Sequence, residues 1–310
     1  MMFEKIVLVT RKTRLEGLIE RYNTRDQARF YIQSRGGDFE FYVREHATYQ
    51  QSLSKLQKNL RTLAKLHVIE RNFLTNYLFT EKDLVVTIGI DGLVVNTAKY
   101  LDGQPLVAVN PDPSQIDGTL LPFDVSQAAG VVKKALQGRM QIKKVTMAEA
   151  RLKDGQSLLA FNDIFIGVEN HVSARYRIQI DGKVEEHSSS GIIVSTGAGS
   201  TGWMSSFFNM ANGMLAAYEP EGEIRLKKPE IAWDCDHLYY IVREPFISKT
   251  SGAKVVSGRI NRGKPLVVES HMSTGGVIFS DGVASDHLEF NAGEIATVGL
   301  AKRQTQLVVG

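Results

Sequence analysis

The turn Gly89-Ile90-Asp91-Gly92 is the first segment of the sequence whose residue types could carry chemistry. It follows the apolar run 84–88, which predicts a buried strand, and it precedes a short predicted helix that ends near Tyr100. Glycines at such a turn let the backbone approach a phosphate, and amides at the start of a helix can hold an anion. The Asp91 carboxylate could accept a proton from an attacking hydroxyl. The alternative is an ordinary strand-to-helix turn in which Asp91 is a cap.

Two later segments also have residue types suited to a nucleotide. Asn162 and Asp163 interrupt the apolar run 161–166, and a buried polar pair there needs partners that a bound ribose could supply. A simple strand end is the alternative. The second segment, Gly197-Ala198-Gly199-Ser200-Thr201-Gly202, matches G-x-G-x-x-G, but its strand-rich surroundings argue against a Rossmann fingerprint. We predict a nucleotide-facing turn, with a plain helix N-terminus as the alternative.

Other features of the sequence exclude whole classes of function. None of the seven histidines has metal-ligand spacing with another histidine, a cysteine or a carboxylate, so no metal site is predicted. A net charge of +3 is too small to indicate a nucleic-acid or membrane partner. The lone cysteine, Cys235, rules out an intramolecular disulfide and is typical of a reducing compartment, so we expect a cytoplasmic protein.

Alternating strand and helix patterns in the first part of the chain would position the Asp91 turn. Residues 5–10 predict a buried strand, and residues 11–14 follow it at the strand end, where open α/β sheets hold ligands. Apolar residues at helical period predict a helix over 53–66, with its start at the capping box that Thr48 forms with Gln51. This alternation is typical of a doubly wound, Rossmann-like α/β domain.

The pattern changes after residue 125, where strands come to dominate. Alternation over 172–180 predicts a half-buried strand, and Asp181-Gly182 supplies a hairpin turn after it. A chain of 310 residues favours two domains. We therefore predict an α/β nucleotide-binding domain over 1–125 and a β-rich domain over 126–289.

Taken in order and spacing, these segments resemble the NAD kinases. That family has a G-G-D-G-T turn after a strand, then an Asn-Glu pair, then an S-T-P-T-G-S-T-A-Y loop. The counterparts here are Gly89-Ile90-Asp91-Gly92-Leu93, Asn162-Asp163, and the loop from Ser195 to Trp203. The likeness covers nearly the whole chain and looks closest to the mitochondrial-type branch and its bacterial relatives. The segments that resemble this branch are Lys12-Thr13-Arg14, Val109 to Pro113, Val242 to Phe246, and Phe279 to Gly282.

The resemblance implies both a fold and an activity. It implies an N-terminal α/β domain, a C-terminal β-sandwich-like domain with NAD bound to it, an active site between them, and a tail of residues 290–310 that packs back on the first domain. It implies transfer of the ATP γ-phosphoryl group to the 2′-hydroxyl of the adenosine ribose of NAD, giving NADP, with Mg²⁺ beside the ATP. Some relatives use polyphosphate as the donor, and family members are usually homo-oligomers, so a dimer or tetramer is expected.

The resemblance also assigns roles to individual residues. Asp91 would be the general base, Asn162 and Asp163 would hold the ribose hydroxyls, and the loop after Ser200 would line the adenine pocket. The predicted nucleotide- and phosphate-binding residues are Gly89, Gly92, Lys12, Thr13, Arg14 and Asn110. The predicted NAD-binding residues are Asn162, Asp163, Ser200, Thr201, Gly202 and Trp203.

Two departures from the family pattern fall in the turn itself. Ile90 replaces the second glycine, and a β-branched residue there is expected to resist positive φ and to add bulk where a phosphate approaches. Leu93 replaces the threonine and removes a hydroxyl. These changes leave a non-catalytic NAD(P)-binding protein on the same fold as the alternative. A lipid kinase, which also carries G-G-D-G-T, is disfavoured by the Asn162-Asp163 pair.

Overall fold

The computed structural model describes residues 3–219 and 224–310 and divides into two compact units. Unit 1 comprises Met1–Lys143 and Thr305–Gly310, and unit 2 comprises Lys144–Gln304. The domain boundary was predicted after residue 125, whereas the units divide after Lys143. The difference arises because the helix that follows residue 124 packs its apolar face, with Ala128 and Val132, into the core of unit 1. Of the predicted tail 290–310, Thr305–Gly310 lies in unit 1, whereas residues 290–304 belong to unit 2.

Unit 1 is a parallel sheet with helices against it. Its strands are β1 (Lys5–Thr10), β2 (Lys65–Glu70), β3 (Asp83–Ile88), β4 (Pro105–Asn110) and the short β5 (Phe123–Asp124). Its helices are α1 (Arg14–Tyr22), α2 (Arg25–Gln33), α3 (Phe39–Arg61), α4 (Asp91–Ala98) and α5 (Val125–Leu136), with a 3₁₀ turn at Arg71–Asn76. The strands pair in the parallel order β2-β1-β3-β4.

Burial explains the composition of these strands. Every residue of β3 and of β4 is buried, and α3 and α5 pack against one face of the sheet. Strands covered on both faces are continuous apolar runs, which is the pattern that predicted them. The edge strand β2 is largely exposed and has no such pattern.

Unit 2 is built almost entirely from antiparallel strands. They are β6 (Gln141–Leu152, which begins in unit 1), β7 (Ser157–Ala160), β8 (Asp163–Val168), β9 (Ala174–Ile180), β10 (Lys183–Ser189), β11 (Ile192–Ser195), β12 (His237–Val242), β13 (Ser257–Asn261), β14 (Leu266–Ser270), β15 (Gly276–Ser280), β16 (Val283–Glu289) and β17 (Ile295–Val309). A 3₁₀ turn at Ala198–Thr201 leads into the helix α6 (Trp203–Tyr218).

The strands of unit 2 form two layers around one core. One layer has the order β10-β9-β14-β17, with β6 on β17 and β7 on β6, and the other has the order β13-β12-β11-β8-β15-β16. Alternate residues of β9 are buried, including Tyr176 and Ile178, and they share a hydrophobic core with Ile164, Ile166 and Val194 of the other layer. This is a β-sandwich. The predicted α/β plus β-sandwich fold class is confirmed.

The last strand, β17, belongs to both units. Leu266 to Glu269 of β14 pair with its first residues in unit 2, whereas Gln306 and Leu307 near its end pair in parallel with β4 in unit 1. Residues near the end of β17 therefore form a strand of the unit 1 sheet, next to β4.

Candidate functional site

In unit 1, the helix α4 begins at Asp91, immediately beyond the end of β3. Ile90 is its N-cap residue and supplies no side-chain cap; the N–H of Leu93 donates to the carbonyl of Ile90 at 2.9 Å, so the N–H groups of Asp91 and Gly92 are left for another acceptor. Gly92 is exposed, and nothing lies within 4 Å of the position that a Cβ would take there. The start of α4 therefore offers backbone donors and open space to an anion.

Ile90 fits the turn without backbone strain. Its φ is −106° and its ψ is 167°, which is ordinary extended backbone, and neither Gly89 nor Gly92 has a positive φ. The prediction that a β-branched residue would conflict with the backbone of this turn is therefore wrong. The Ile90 side chain is 42% exposed and lines a cavity instead.

The Asp91 carboxylate has a hydrogen-bond partner on one of its two oxygens. It is half-buried, and its Oδ1 accepts a hydrogen bond of 3.1 Å from the backbone N–H of Leu120. Among residues 3–219 and 224–310, Leu120 is the one hydrogen-bond partner of this carboxylate. Its second oxygen can therefore accept a proton from a ligand.

The cavity beside this turn has a volume of about 440 Å³ and combines cationic with apolar walls. Its cationic side chains are Arg11, Arg14 and Arg44, its acidic side chains are Glu45 and Asp112, and its apolar lining comes from Phe41, Ile90, Pro111 and Ile116. Guanidinium groups bind phosphate oxygens in a bidentate manner, so this cavity suits a phosphate-bearing ligand. Phe41 and Arg44 on α3 were not predicted, because no local pattern links α3 to the Gly89 turn.

Arg11 belongs to the predicted ligand-side segment 11–14 but was not among the predicted phosphate-binding residues. Its guanidinium donates to Glu45 at 3.1 Å and to the carbonyl of Lys12 at 3.2 Å. Its Nε is buried with no partner among the described residues, and it lies 3.5 Å from the position that a Cβ on Gly89 would take. The Nε–H therefore faces the Gly89 turn, at the carboxyl end of β1 where ligands of open α/β sheets lie.

Three of the predicted phosphate-binding residues have structural contacts. Lys12 forms an ion pair of 2.5 Å with Glu20. Thr13 is buried and caps α1 in a reciprocal capping box with Glu16. The amide of Asn110 bonds within its own loop, donating to the carbonyl of Ile116 and accepting from the N–H of Asp112. Arg14 also has a contact, an ion pair of 3.6 Å with Glu45, but its side chain is 62% exposed and lines the cavity, so its predicted role is the one that the geometry favours.

In unit 2, the strand pairing brings together the two segments predicted to bind NAD. Asp163 opens β8 and pairs with Ser195 at the end of β11, so the Gly-rich loop begins beside the Asn162-Asp163 pair. The backbone N–H of Thr196 donates to the carbonyl of Asn162 at 2.9 Å. Because β11 lies in an antiparallel sheet, this loop is not a Rossmann fingerprint, as predicted.

Close packing explains the glycine in the middle of the loop. A Cβ on Gly199 would lie 2.1 Å from the carbonyl oxygen of Asn162. The Thr196 hydroxyl donates to the carbonyl of Phe161 at 2.6 Å and accepts from the N–H of Gly199 at 3.1 Å. The loop and the Asn162 segment therefore form one rigid backbone assembly.

The carboxylate of Asp281 is a second unpredicted feature. It accepts hydrogen bonds from three consecutive backbone N–H groups, those of Phe161 (3.0 Å), Asn162 (2.7 Å) and Asp163 (3.2 Å). The Asp163 carboxyl is 8% exposed, and burial together with the nearby charge of Asp281 raises its pKa to about 7.

The remaining residues of the loop take different positions. Ser200 is buried and donates to the carbonyl of Gly197 at 2.7 Å, whereas Thr201 and Gly202 are exposed. Trp203 stacks on Phe165 with an interplanar angle of 13°, so it belongs partly to the packing between α6 and the sheet. These contacts leave Thr201 and Gly202 as the loop residues most open to a ligand.

Within 3–219 and 224–310, no three or more histidine, cysteine, aspartate or glutamate side chains are grouped so that they could hold a metal ion. In the same part of the chain, no helix is long and apolar enough to cross a membrane.

Comparison with known proteins tests the resemblance. No protein-family model matches the chain. A bifunctional NADP phosphatase/NAD kinase of Methanococcus maripaludis is 26% identical over 182 residues, which are 56% of this chain and 29% of that protein. An NAD kinase of Heliobacterium modesticaldum is 33% identical over 130 residues (39% and 44%), and one of Campylobacter jejuni is 29% identical over 133 residues (41% and 46%).

Two solved structures have the same fold over nearly the whole chain. The structure of yeast NADH kinase complexed with NADH covers 99% of this chain and 83% of that one, with a TM-score of 0.58 and 14% identity. An NAD kinase from Archaeoglobus fulgidus in complex with ATP covers 97% and 92%, with a TM-score of 0.56 and 15% identity. Part of the chain is similar in sequence to NAD kinases, and the chain has the fold of these two solved structures. It spans less than half the length of the curated relatives it matches, and the mitochondrial-type branch stays a prediction.

Proposed function

We propose that this chain is an NAD kinase-like phosphotransferase that moves the γ-phosphoryl group of ATP to the 2′-hydroxyl of the adenosine ribose of NAD. The observation that carries the proposal is the position of Asp91. Its carboxylate stands on an uncapped helix N-terminus, has one oxygen open to a ligand, and adjoins a turn that Arg11 faces. A proton acceptor next to donors for phosphate is what phosphoryl transfer to a hydroxyl requires.

Each unit is assigned its own part of the reaction. In unit 1, Asp91 accepts the proton of the 2′-hydroxyl, while the first-turn N–H groups of α4 and the guanidinium of Arg11 bind phosphate oxygens. In unit 2, Asn162 and Asp163 bind the ribose hydroxyls, and Thr201 and Gly202 line the adenine site. The sequence likeness to NAD kinases over part of the chain and the shared fold support this assignment.

Mg²⁺ would accompany the donor. Magnesium keeps several waters and binds one or two carboxylates together with substrate phosphates, so it needs no dedicated cluster of protein ligands. The described residues include no such cluster, and they fit an ion held mainly by the phosphate oxygens of ATP. When bound, the ion neutralises charge on the transferring group. Polyphosphate is the other donor to be tested, since three arginines line the cavity and an adenine is not required for contact with them.

Formation of NADP tests the proposal directly. Purified protein incubated with NAD, ATP and Mg²⁺ should form NADP, and Asp91→Asn should reduce kcat by about 10²- to 10⁴-fold. Asp26→Asn is a matched control, because Asp26 lies in the first turn of α2 and is exposed. Equal activity of wild type and Asp91→Asn would refute the role of Asp91.

A non-catalytic NAD(P)-binding protein is the second candidate, and one observation favours it. Leu93 replaces a hydroxyl-bearing residue and is fully packed, with 1% of its surface exposed, so it offers nothing to a phosphate. Binding of NAD or NADP by calorimetry, without NADP formation from ATP or polyphosphate, would establish this candidate over the first.

We also infer a homo-oligomer, dimer or tetramer, in the cytoplasm. The helix α6 carries no charged residue, and its side chains Met210, Met214 and Tyr218 are exposed by 48%, 55% and 81%, which supports an apolar interface between copies. Light scattering should give a multiple of the 34.4 kDa chain mass, and Met214→Asp should reduce it. A wild-type mass equal to that of one chain would refute the oligomer.

The free thiol of Cys235 is compatible with a reducing compartment.

A further inference from the structure

The backbone of Phe161, Asn162 and Asp163 is fixed from two sides. Its carbonyls at Phe161 and Asn162 accept from the hydroxyl and the N–H of Thr196, at 2.6 Å and 2.9 Å. Its three N–H groups all donate to the carboxylate of Asp281, and the N–H of Asp281 donates back to the carbonyl of Asp163 at 2.9 Å. A segment with so many main-chain bonds has little freedom to move.

The side chains of Asn162 and Asp163 differ from their backbone in hydrogen bonding. Within 3–219 and 224–310, the hydrogen bonds of Asn162 and Asp163 are made by their backbone groups, and no hydrogen bond contributes to the raised pKa of the Asp163 carboxyl. Asp163 as a residue is 8% exposed, but its carboxyl oxygens are not among the unpartnered atoms closed off from solvent, so a ligand can reach them. The protein therefore fixes the backbone of Asn162 and Asp163 by hydrogen bonds, and their side chains remain available to a ligand.

We propose that Asp281 is a positioning residue for the ribose of NAD, and that its three amide contacts fix the geometry in which Asn162 and Asp163 receive the ribose hydroxyls. The inference rests on the proposed function of unit 2. A charged acceptor is the group suited to this task, because hydrogen bonds to an ionised carboxylate are about twice as strong as neutral ones.

The charge of Asp281 has a second effect on the same pair. It lies close enough to Asp163 to oppose ionisation of that carboxyl, and burial acts in the same direction, so the pKa of Asp163 is about 7. Of the titratable side chains that the structure describes, Asp281 is the one whose charge moves this pKa. Because ribose hydroxyls donate to an ionised carboxylate, NAD should bind more tightly as the pH rises through 7.

The chain supplies a matched pair of turns for the test. Asp281-Gly282 and Asp181-Gly182 are both hairpin turns with left-handed aspartates, at φ of 55° and 48°. Asparagine tolerates this conformation, so Asp281→Asn and Asp181→Asn should both keep their turns. In Asp281→Asn the amide nitrogen cannot accept, so at least one of the three N–H bonds is lost along with the charge.

The experiment measures NAD binding by calorimetry between pH 5.5 and 8.5 and the carboxyl ¹³C titration of Asp163. For Asp281→Asn we expect the Kd for NAD to rise by about ten- to a hundredfold, with KM affected more than kcat. We also expect the pKa of Asp163 to fall, whereas Asp181→Asn should match wild type in both. A Kd and an Asp163 titration that are the same in Asp281→Asn as in Asp181→Asn would overturn the proposal.

Two further measurements keep the test decisive. If Asp281→Asn does not fold, wild type is compared with Asp163→Asn. The NAD affinity of wild type should rise as the pH passes through 7, and that of Asp163→Asn should not. A wild-type affinity that does not change with pH would overturn the proposed effect of Asp281 on Asp163. If wild type binds no NAD at any pH, the proposed function fails, and the Asp163 titration alone still decides whether Asp281 acts on that carboxyl.

Discussion

Gly199→Ala is the most direct perturbation of the candidate NAD site. The added Cβ would lie 2.1 Å from the carbonyl oxygen of Asn162 and 2.6 Å from its carbonyl carbon. Carbon–oxygen contacts in proteins rarely fall below about 3.3 Å, so the loop and the Asn162 segment must separate by about 1 Å. Overpacking of this kind costs about 1–3 kcal/mol. Loss of the Gly199 to Thr196 hydrogen bond adds about 1 kcal/mol.

Two assays convert this displacement into measurable quantities. Urea unfolding should show a free energy of unfolding lower by about 2–4 kcal/mol in Gly199→Ala, the sum of these two costs. NAD affinity should fall at least about tenfold, because Asn162 moves by a distance comparable to the tolerance of a hydrogen bond. Gly213→Ala is the matched control: Gly213 lies inside α6, nothing is within 4 Å of its Cβ position, and alanine there should stabilise by about 0.5–1 kcal/mol.

The two alanines make the reasoning refutable. If Gly199→Ala unfolds at the same urea concentration as wild type and binds NAD equally well, then the loop does not pack on Asn162 as described. If Gly199→Ala loses stability but keeps its NAD affinity, the packing stands and the loop is not part of the binding site.

Two more predictions concern Ile90 and Asp163. Since Ile90 has an unstrained backbone, Ile90→Ala and Ile90→Gly should change the KM for the donor to the same extent in steady-state kinetics. A lower KM in Ile90→Gly alone would show that position 90 needs the backbone freedom of glycine. The raised pKa of Asp163, about 7, means that its carboxyl stabilises the fold fully at acid pH and loses this contribution as the pH rises through 7. Asp163→Asn should therefore be more stable to urea than wild type at pH 8, by on the order of 2–4 kcal/mol, and nearly equal to it at pH 4, whereas an equal difference at both pH values would count against it.

Elements with a strong pattern could be predicted from the sequence, and those without one could not. The run 84–88 and the alternation before Asp181 gave β3 and β9 because burial on two faces or one face leaves a direct trace in residue type. The capping box at Thr48 was wrong: α3 starts at Phe39 with Asp38 as its cap, and Thr48 lies within the helix. Threonine and glutamine at that spacing also occur on an exposed helix face, so the motif alone does not decide.

The residue types of the candidate site were predictable, but their partners were not. The Gly-rich loop and the Asn162-Asp163 pair stand out because polar residues and glycines interrupt apolar runs. Asp281, however, is 119 residues from Asn162, and only the pairing of β8 with β15 brings them together. A single sequence contains no signal for such a contact. Arg11 was hidden for another reason: basic residues next to it share its chemistry, and only the structure shows which of them faces the turn.

The structure changes what Ile90 means for phosphate transfer. If the family's glycine were needed for its backbone freedom, an isoleucine would distort the turn and remove the N–H groups that bind phosphate. The turn instead keeps an extended residue at 90 and an uncapped helix start, so the backbone donors remain in place. What differs is the cavity wall, to which Ile90 adds an apolar side chain beside Pro111 and Ile116. On the proposed function, we therefore expect the substitution to act on the body of the donor more than on its phosphate, and to alter donor preference more than catalytic competence.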